Sequence, residues 1–196
     1  MAHYFTNEEL PSNEKKGYCI IKNEKFEFIT DNGVFSKKGL DFGTRTLLES
    51  LENIHGDVLD FGCGYGPIGI FVKKMFDTNV DMIDINKRSI ELATKNSKLN
   101  NVETNIFESD IYSEVTKKYD FIISNPPIRV GNEILYKILF EARDYLNNNG
   151  ELWIVINKNQ GAKTVMKNLE KIYKVELMKK NKGFYIIKAK NQLTNC

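Results

Sequence analysis

The chain has 196 residues, and its 28 Lys and Arg against 26 Asp and Glu leave a net charge of +2. That length suits one sizeable domain with at most a small extension, and so even a balance gives no electrostatic argument for a nucleic-acid partner. A hydrophobic fraction of 41%, with 11% aromatic residues, supports a packed core and excludes a disordered chain.

Cysteines are three and far apart, Cys19, Cys63 and Cys196, and the only histidines are His3 and His55. No Cys-x-x-Cys pair exists, so neither a disulfide scaffold nor a zinc site is expected, and no metal is assigned. Met1 to Tyr18 is polar and lacks the apolar stretch of a signal peptide. No run approaches the ~18 apolar residues of a membrane span. The expectation is a cytoplasmic protein without membrane contact.

In chain order, Cys19–Lys22 and Lys25–Ile29 flank Asn23-Glu24 and predict a hairpin. Residues 31–39 have turn chemistry at both ends, and Asp41 or Thr44 caps a helix running through Leu51. From Gly56 strands and helices alternate. Gly56–Phe61, Val80–Ile85, Glu103–Phe107, Tyr119–Ser124 and Glu151–Ile156 read as strands. Pro67–Phe76, Lys87–Leu99, Glu133–Leu146 and Ala162–Ile172 read as helices, with Asn147–Gly150 stopping the third of them. Such alternation predicts a doubly wound α/β sheet, mostly parallel and seven-stranded. The last two strands, Val175–Met178 and Phe184–Ala189, are separated by too few residues for a parallel crossover, so they form an antiparallel terminal hairpin. Residues 1–40 are expected to form a small N-terminal β-hairpin extension with a segment that covers the site, and residues 41–196 the main domain.

The chain turns on Asp60-Phe61-Gly62-Cys63-Gly64-Tyr65-Gly66, which joins a strand to a helix opened by Pro67. Proline suits that first turn, where its missing N–H costs nothing. The glycines permit a tight turn and let a ligand approach the backbone. The helix start adds unpaired N–H groups. A nucleotide-type site at the carboxyl end of a strand is the expectation. Gly64, Gly66 and Gly69 also spell Gly-x-Gly-x-x-Gly, with Asp84 twenty residues after Gly64, which matches a dinucleotide fingerprint and keeps a nicotinamide-dependent oxidoreductase as an alternative. Asp60 before the glycines points elsewhere. A pyrophosphate would be repelled by an acid there. S-adenosylmethionine carries a sulfonium and an α-amino group and no phosphate. The loop resembles the first motif of the class I S-adenosylmethionine-dependent methyltransferases, and the antiparallel ending resembles their fold.

Other strand ends are polar in an ordered way. Asp84 can accept both hydrogen bonds of a ribose diol, unless it or Asn86 serves only to cap the next helix. Asn125-Pro126-Pro127-Ile128 ends the buried strand Phe121–Ser124. Two successive prolines stiffen the chain. The carbonyls of Asn125 and Pro126 and the side-chain oxygen of Asn125 can then converge on an N–H₂ group. An exocyclic amine is a poor nucleophile because its lone pair is delocalised, and acceptors on its hydrogens favour a pyramidal nitrogen. The work is orientation and electrostatics. Asn125, Pro126 and Pro127 are the catalytic candidates.

Asn-Pro-Pro-Ile-Arg together with the glycine loop resembles the catalytic domain of the small-subunit ribosomal RNA guanine-N2 methyltransferases. So do His3-Tyr4-Phe5, Gly33-Val34-Phe35-Ser36, Asp41-Phe42-Gly43-Thr44 and Trp153–Ile156 with Gln160-Gly161-Ala162, so the likeness covers nearly the whole chain. The resemblance implies S-adenosylmethionine as cofactor and RNA, ribosomal RNA or a ribosomal particle, as partner. It implies cofactor contacts from Phe35, Thr44, Asp60, Gly62, Cys63, Gly64, Gly66, Asp84, Ile85, Asp110, Ile111 and Asn125, with Asp110 where the family holds the adenine amine. Ile128 and Arg129 are implied at the substrate. Ile128 stands where adenine-N6 and glutamine-N5 methyltransferases usually carry an aromatic residue, which favours guanine and leaves those two amines as alternatives. A non-catalytic RNA-binding module with a vestigial cofactor fold is a further alternative, but the intact loop and Asn-Pro-Pro weigh against it. Lys37-Lys38 and Lys179-Lys180-Lys182 are candidates for a basic rim.

Overall fold

A computed structural model describes residues 11–34, 36 and 39–192. The His3-Tyr4-Phe5 motif, Phe35, Lys37, Lys38 and Cys196 lie outside the described residues. Among the described residues no helix is long and apolar enough to cross a membrane.

Strands β1 (Lys15–Ile21) and β2 (Glu24–Thr30) pair antiparallel as a separate two-stranded sheet. The turn is Lys22-Asn23, one residue earlier than expected, because both residues take positive φ, 48° and 67°. That is the turn whose twist matches paired strands. Ile21, Phe26 and Phe28 join the main core, and the Phe26 ring lies 5.5 Å from that of Phe71. The hairpin is also tied by its backbone. Asn96 and Asn100, one turn apart on a helix, each bond both backbone groups of a β2 residue. Asn96 accepts from Ile29 N (2.7 Å) and donates to Ile29 O (2.9 Å). Asn100 accepts from Glu27 N (3.0 Å) and donates to Glu27 O (2.7 Å). Two side-chain amides thus satisfy a strand edge that would otherwise be open.

The main sheet has seven strands in the order β5-β4-β3-β6-β7-β9-β8. These are β3 (Asp57–Phe61), β4 (Asn79–Asp84), β5 (Asn105–Glu108), β6 (Tyr119–Ser124), β7 (Leu146–Asn157), β8 (Lys174–Asn181) and β9 (Phe184–Lys190). β9 runs antiparallel to both β7 and β8, and the other pairings are parallel. Helices α1 (Phe42–Ser50), α2 (Pro67–Phe76), α3 (Lys87–Leu99), α4 (Asn132–Glu141) and α5 (Ala162–Leu169) connect or cover them. Alternation along the strands splits the core into two layers. Val58, Phe121, Ile123, Trp153 and Val155 face the layer with α1, α2 and the hairpin. Leu59, Ile122, Leu152, Ile154 and Ile156 face the layer with α4 and α5.

The doubly wound seven-stranded sheet and its antiparallel end are as expected. Several boundaries differ. The third expected helix ends at Glu141 and tightens into a 3-10 turn over Ala142–Tyr145. Asn147–Gly150, expected as a stop, instead leads into β7. Leu146 pairs with Tyr119, the register shifts, and Glu151 pairs with Phe121. Asn149 adopts φ 64°, and a Cβ on Gly150 would sit 3.0 Å from Tyr119 O. The turn residues thus absorb an irregularity inside a strand. α5 stops at Leu169, three residues early, and β8 extends to Asn181. The link to β9 is only Lys182-Gly183, both at positive φ.

Candidate active site

A cavity of about 770 Å3 opens at the carboxyl ends of β3, β4, β6 and β7. In an open α/β sheet this is where the strand order reverses and ligands bind.

The glycine loop forms its floor. Gly62 and Gly64 sit at φ 69° and 57°, and a Cβ on either would meet nothing within 4 Å. Their demand is conformational, and their backbone is bare toward the cavity. Gly66, also at positive φ (95°), and Gly69 answer a packing need as well. A Cβ would lie 2.9 Å from Met82 Cε at Gly66 and 2.6 Å from Met82 Cγ and Sδ at Gly69. They let α2 press onto β4. Cys63 borders the cavity with its thiol buried, and burial holds that thiol well above its ordinary range, with Asp84 and Asp60 adding to the effect.

Asp60 and Gly66 are not among the residues that border the cavity. Asp60 is 0% exposed and lies beneath the loop, on the sheet face that meets α2. Its Oδ2 accepts from Gly69 N at 2.8 Å, and its Oδ1 has no partner. Burial pushes its carboxyl up to about 8, against the Gly69 hydrogen bond and with help from the nearby Asp84 charge. The acid therefore lies behind the loop and is not in contact with the cavity.

Asp84 ends β4 and does face the cavity. Its carboxylate accepts from Gly64 N (2.9 Å) and Asn86 N (2.8 Å), which pins it across the loop while leaving the carboxylate some acceptor capacity. The helix cap is Asn86, whose side chain accepts from Arg88 N and Ser89 N. Asp84 is thus not spent on capping. Burial raises its pKa, opposed by hydrogen bonds from Asn86, Gly64 and Ile85.

Beyond β5, Asp110 is exposed at the rim, followed by Ile111 at φ 54°. A β-branched residue in the left-handed region is strained by about 1–3 kcal/mol and needs its surroundings to hold it there. Ser109 does so, with Oγ donating to Ile111 O at 3.1 Å and accepting from Glu114 N. Ile85 and Ile111 both border this end of the cavity.

Asn125, Pro126, Pro127 and Ile128 border the opposite side. Asn125 Nδ2 donates to Thr44 Oγ1 at 2.9 Å. Thr44 is buried in the first turn of α1, where its N–H is capped by Asp41 Oδ1 at 3.0 Å. The hydroxyl takes the amide nitrogen, so Asn125 Oδ1 is left as an acceptor. Ile128–Val130 forms a 3-10 turn, and Arg129 borders the cavity without a salt bridge among the described residues. The structure thus gathers Thr44, Gly62, Cys63, Gly64, Asp84, Ile85, Asp110, Ile111, Asn125, Pro126, Pro127, Ile128 and Arg129 around one space.

A third wall was not assigned from the sequence, apart from Phe42, whose segment Asp41–Thr44 the resemblance already implied at the site. Phe42, Phe184, Asn157, Asn159 and Gln160 also border the cavity. Phe42 and Phe184 are 5.9 Å apart between ring centroids. The position of Asn157 at the carboxyl end of β7 was the available signal. Phe184 gave none, because it reaches the site only through the antiparallel pairing Asn157↔Phe184.

Comparison with known proteins places this geometry. The model of the methyltransferase small domain matches residues 25–188. An uncharacterized protein of Bacillus subtilis is 41% identical over 96% of this chain and 98% of its own. A protein of Vibrio parahaemolyticus named ribosomal RNA small subunit methyltransferase C is 36% identical over 94% of this chain. This chain spans only 56% of that relative. A solved T. thermophilus 16S rRNA guanine-N2 methyltransferase, in complex with AdoMet and guanosine, superposes with a TM-score of 0.84 at 24% identity, covering 94% of this chain and 52% of its own. The fold is that of the class I methyltransferases, and the chain belongs to the methyltransferase small-domain family, whose members use S-adenosylmethionine.

Proposed function

We propose that this protein transfers a methyl group from S-adenosylmethionine to the exocyclic N2 amine of guanine in RNA, with ribosomal RNA as the substrate and the cytoplasm as its place of action. The observation that carries the reading is one cavity with two chemically distinct ends. The bare Gly62 and Gly64 backbone, the Asp84 carboxylate and the Asp110 rim face Asn125-Pro126-Pro127 across it. The names of the curated relatives, which this chain matches over about half their length, support the choice of ribosomal RNA.

The residues present fit the cofactor. Asp84 offers lone pairs to a ribose diol. Ile85 and Ile111 offer apolar faces, Asp110 an acceptor for an adenine amine, and the glycine turn space without a Cβ. The cofactor, when bound, supplies an electrophilic methyl group. At the other end, Asn125 Oδ1 and the carbonyls of Asn125 and Pro126 accept from the two hydrogens of the target amine and localise its lone pair on nitrogen. Thr44 keeps the Asn125 amide turned for that purpose. Ile128 gives the base an apolar face and Arg129 a cation for RNA phosphate.

Calorimetry with S-adenosylmethionine and NAD, followed by mass mapping of ribosomal RNA from cells with and without the gene, tests the reading. Binding of the first cofactor alone, and loss of one N2-methylguanosine, are expected. Binding of NAD alone, or an unchanged map, would overturn it.

A further inference from the structure

The amides around the cavity are not turned at random. Asn125 gives its nitrogen to Thr44 and keeps its oxygen. Asn157 and Gln160 do the reverse. Asn157 Oδ1 accepts from Asn159 N at 3.0 Å, and Gln160 Oε1 accepts from Asn157 N at 3.2 Å, closing the 3-10 turn Lys158–Gln160 at the end of β7. Each oxygen accepts one hydrogen bond within the turn. Asn157 Nδ2 and Gln160 Nε2 have no hydrogen-bond partner among the described residues, and both residues border the cavity. The cavity therefore has an acceptor pole at Asn125 and a donor pole at Asn157 and Gln160.

The backbone offset between Asn125 and Asn157 follows from the sheet. Ser124 pairs with Ile154, so Asn125 lies one residue and Asn157 three residues beyond a matched level. On adjacent strands about 4.8 Å apart, two residues of offset is about 7 Å along the strands, which sets the two backbones about 8 Å apart. A purine spans such a gap. Its order of groups decides which purine fits. Guanine with N2 at the acceptor pole turns the O6 and N7 acceptors of its far side toward the donor pole.

We propose that Asn157 and Gln160 are specificity-determining residues whose amide nitrogens read the O6–N7 side of the target guanine. The inference rests on the guanine reading above and deepens it. The ring of Phe184, paired beside Asn157, provides an apolar wall next to the donors.

The test uses nucleosides and the protein saturated with S-adenosylhomocysteine. Guanosine and 2,6-diaminopurine riboside both carry an N2 amine, but the second puts an amine donor in place of O6. Calorimetry on the wild-type protein should favour guanosine by about 10–100-fold, the value of one well-placed base contact. Gln160→Glu and Asn157→Asp keep the oxygens that close the turn and replace the donors with acceptors. Each should lower guanosine affinity and shrink or invert the preference, with S-adenosylmethionine affinity unchanged. Equal affinity of the wild type for the two nucleosides, a preference unmoved in both variants, or no binding of either nucleoside would overturn the inference. Methylation of guanine N2 in ribosomal RNA by the wild type, measured in parallel, separates the two failures. If it persists, only the role of Asn157 and Gln160 is lost. If it is absent, the guanine reading itself fails.

Discussion

Asp60→Asn is the substitution whose effect is best fixed by the geometry. The native carboxyl is fully buried, one oxygen holds Gly69 N at 2.8 Å, and the other has no partner. Its pKa rises from the ordinary 3.8 to about 8. A carboxyl whose folded pKa lies above its unfolded value binds its proton more tightly in the native state. Its contribution is complete below the unfolded value and is lost as pH rises through about 8. A displacement from 3.8 to about 8 corresponds by linkage to at most about 6 kcal/mol, and relaxation of the loop lowers it. Asparagine keeps an oxygen for Gly69 N–H and cannot ionise. Its nitrogen takes the place of the unpartnered oxygen, so near pH 5 the variant and the wild type should differ by no more than about 1–3 kcal/mol. Between pH 5 and pH 9 the wild type should lose stability relative to the variant by roughly 2–4 kcal/mol. Asp84, also raised by burial, has the same sign in both proteins and cancels to first order. Urea denaturation of the two proteins across that range measures the difference. Parallel stability curves would refute the placement of a protonatable acid beneath the loop.

Substitutions at three other positions address the site and its frame. Asp84→Ala should weaken S-adenosylmethionine binding by roughly 1.5–3 kcal/mol in calorimetry, the range for hydrogen bonds to a charged group; unchanged affinity would remove Asp84 from the cofactor. Thr44→Val should lower kcat by about 10-fold with little change in cofactor affinity, and Thr44→Ser should restore it, because only the hydroxyl holds Asn125 Nδ2. Equal kcat for Thr44→Val and the wild type would show that the amide needs no such hold. Gly69→Ala gains about 1 kcal/mol of helix propensity but forces a Cβ to 2.6 Å from buried Met82, an overpacking cost of about 1–3 kcal/mol. Net destabilisation in urea is expected, and a more stable variant would show that α2 does not press on β4 as described.

The fold was legible because its signals are local. Alternating buried strands, the Asp41 cap, Pro67 at a helix start and a link too short for a crossover all act over a few residues. What failed to show was decided at a distance. The lead-in Asn147–Gly150 has turn composition, and only its pairing with Tyr119 and Asn191 makes it strand. Asp60 stands in the motif as a ligand contact would, yet burial against α2 takes it below the surface of the cavity. The spelling Gly64-x-Gly66-x-x-Gly69 suggested one purpose, while the sheet divides the glycines between an open turn and contact with Met82. Thr44 borders the cavity as the resemblance implied, and the sequence did not show that its hydroxyl also accepts from Asn125. Phe184 went unassigned because an antiparallel strand, 27 residues beyond Asn157 in sequence, brings its ring to the cavity.

Single-turnover methylation of ribosomal RNA with labelled S-adenosylmethionine, run on the wild type and Asn125→Ala alongside cofactor calorimetry, bears on the whole mechanism at once. Asn125 Oδ1 acts mainly as charge builds on the amine nitrogen, so its loss should fall on the rate and not on ground-state binding. The wild type should form N2-methylguanosine, and Asn125→Ala should be slower by about 10²–10³-fold with cofactor affinity little changed. An unchanged rate in Asn125→Ala, or label appearing on any group other than guanine N2, would contradict it.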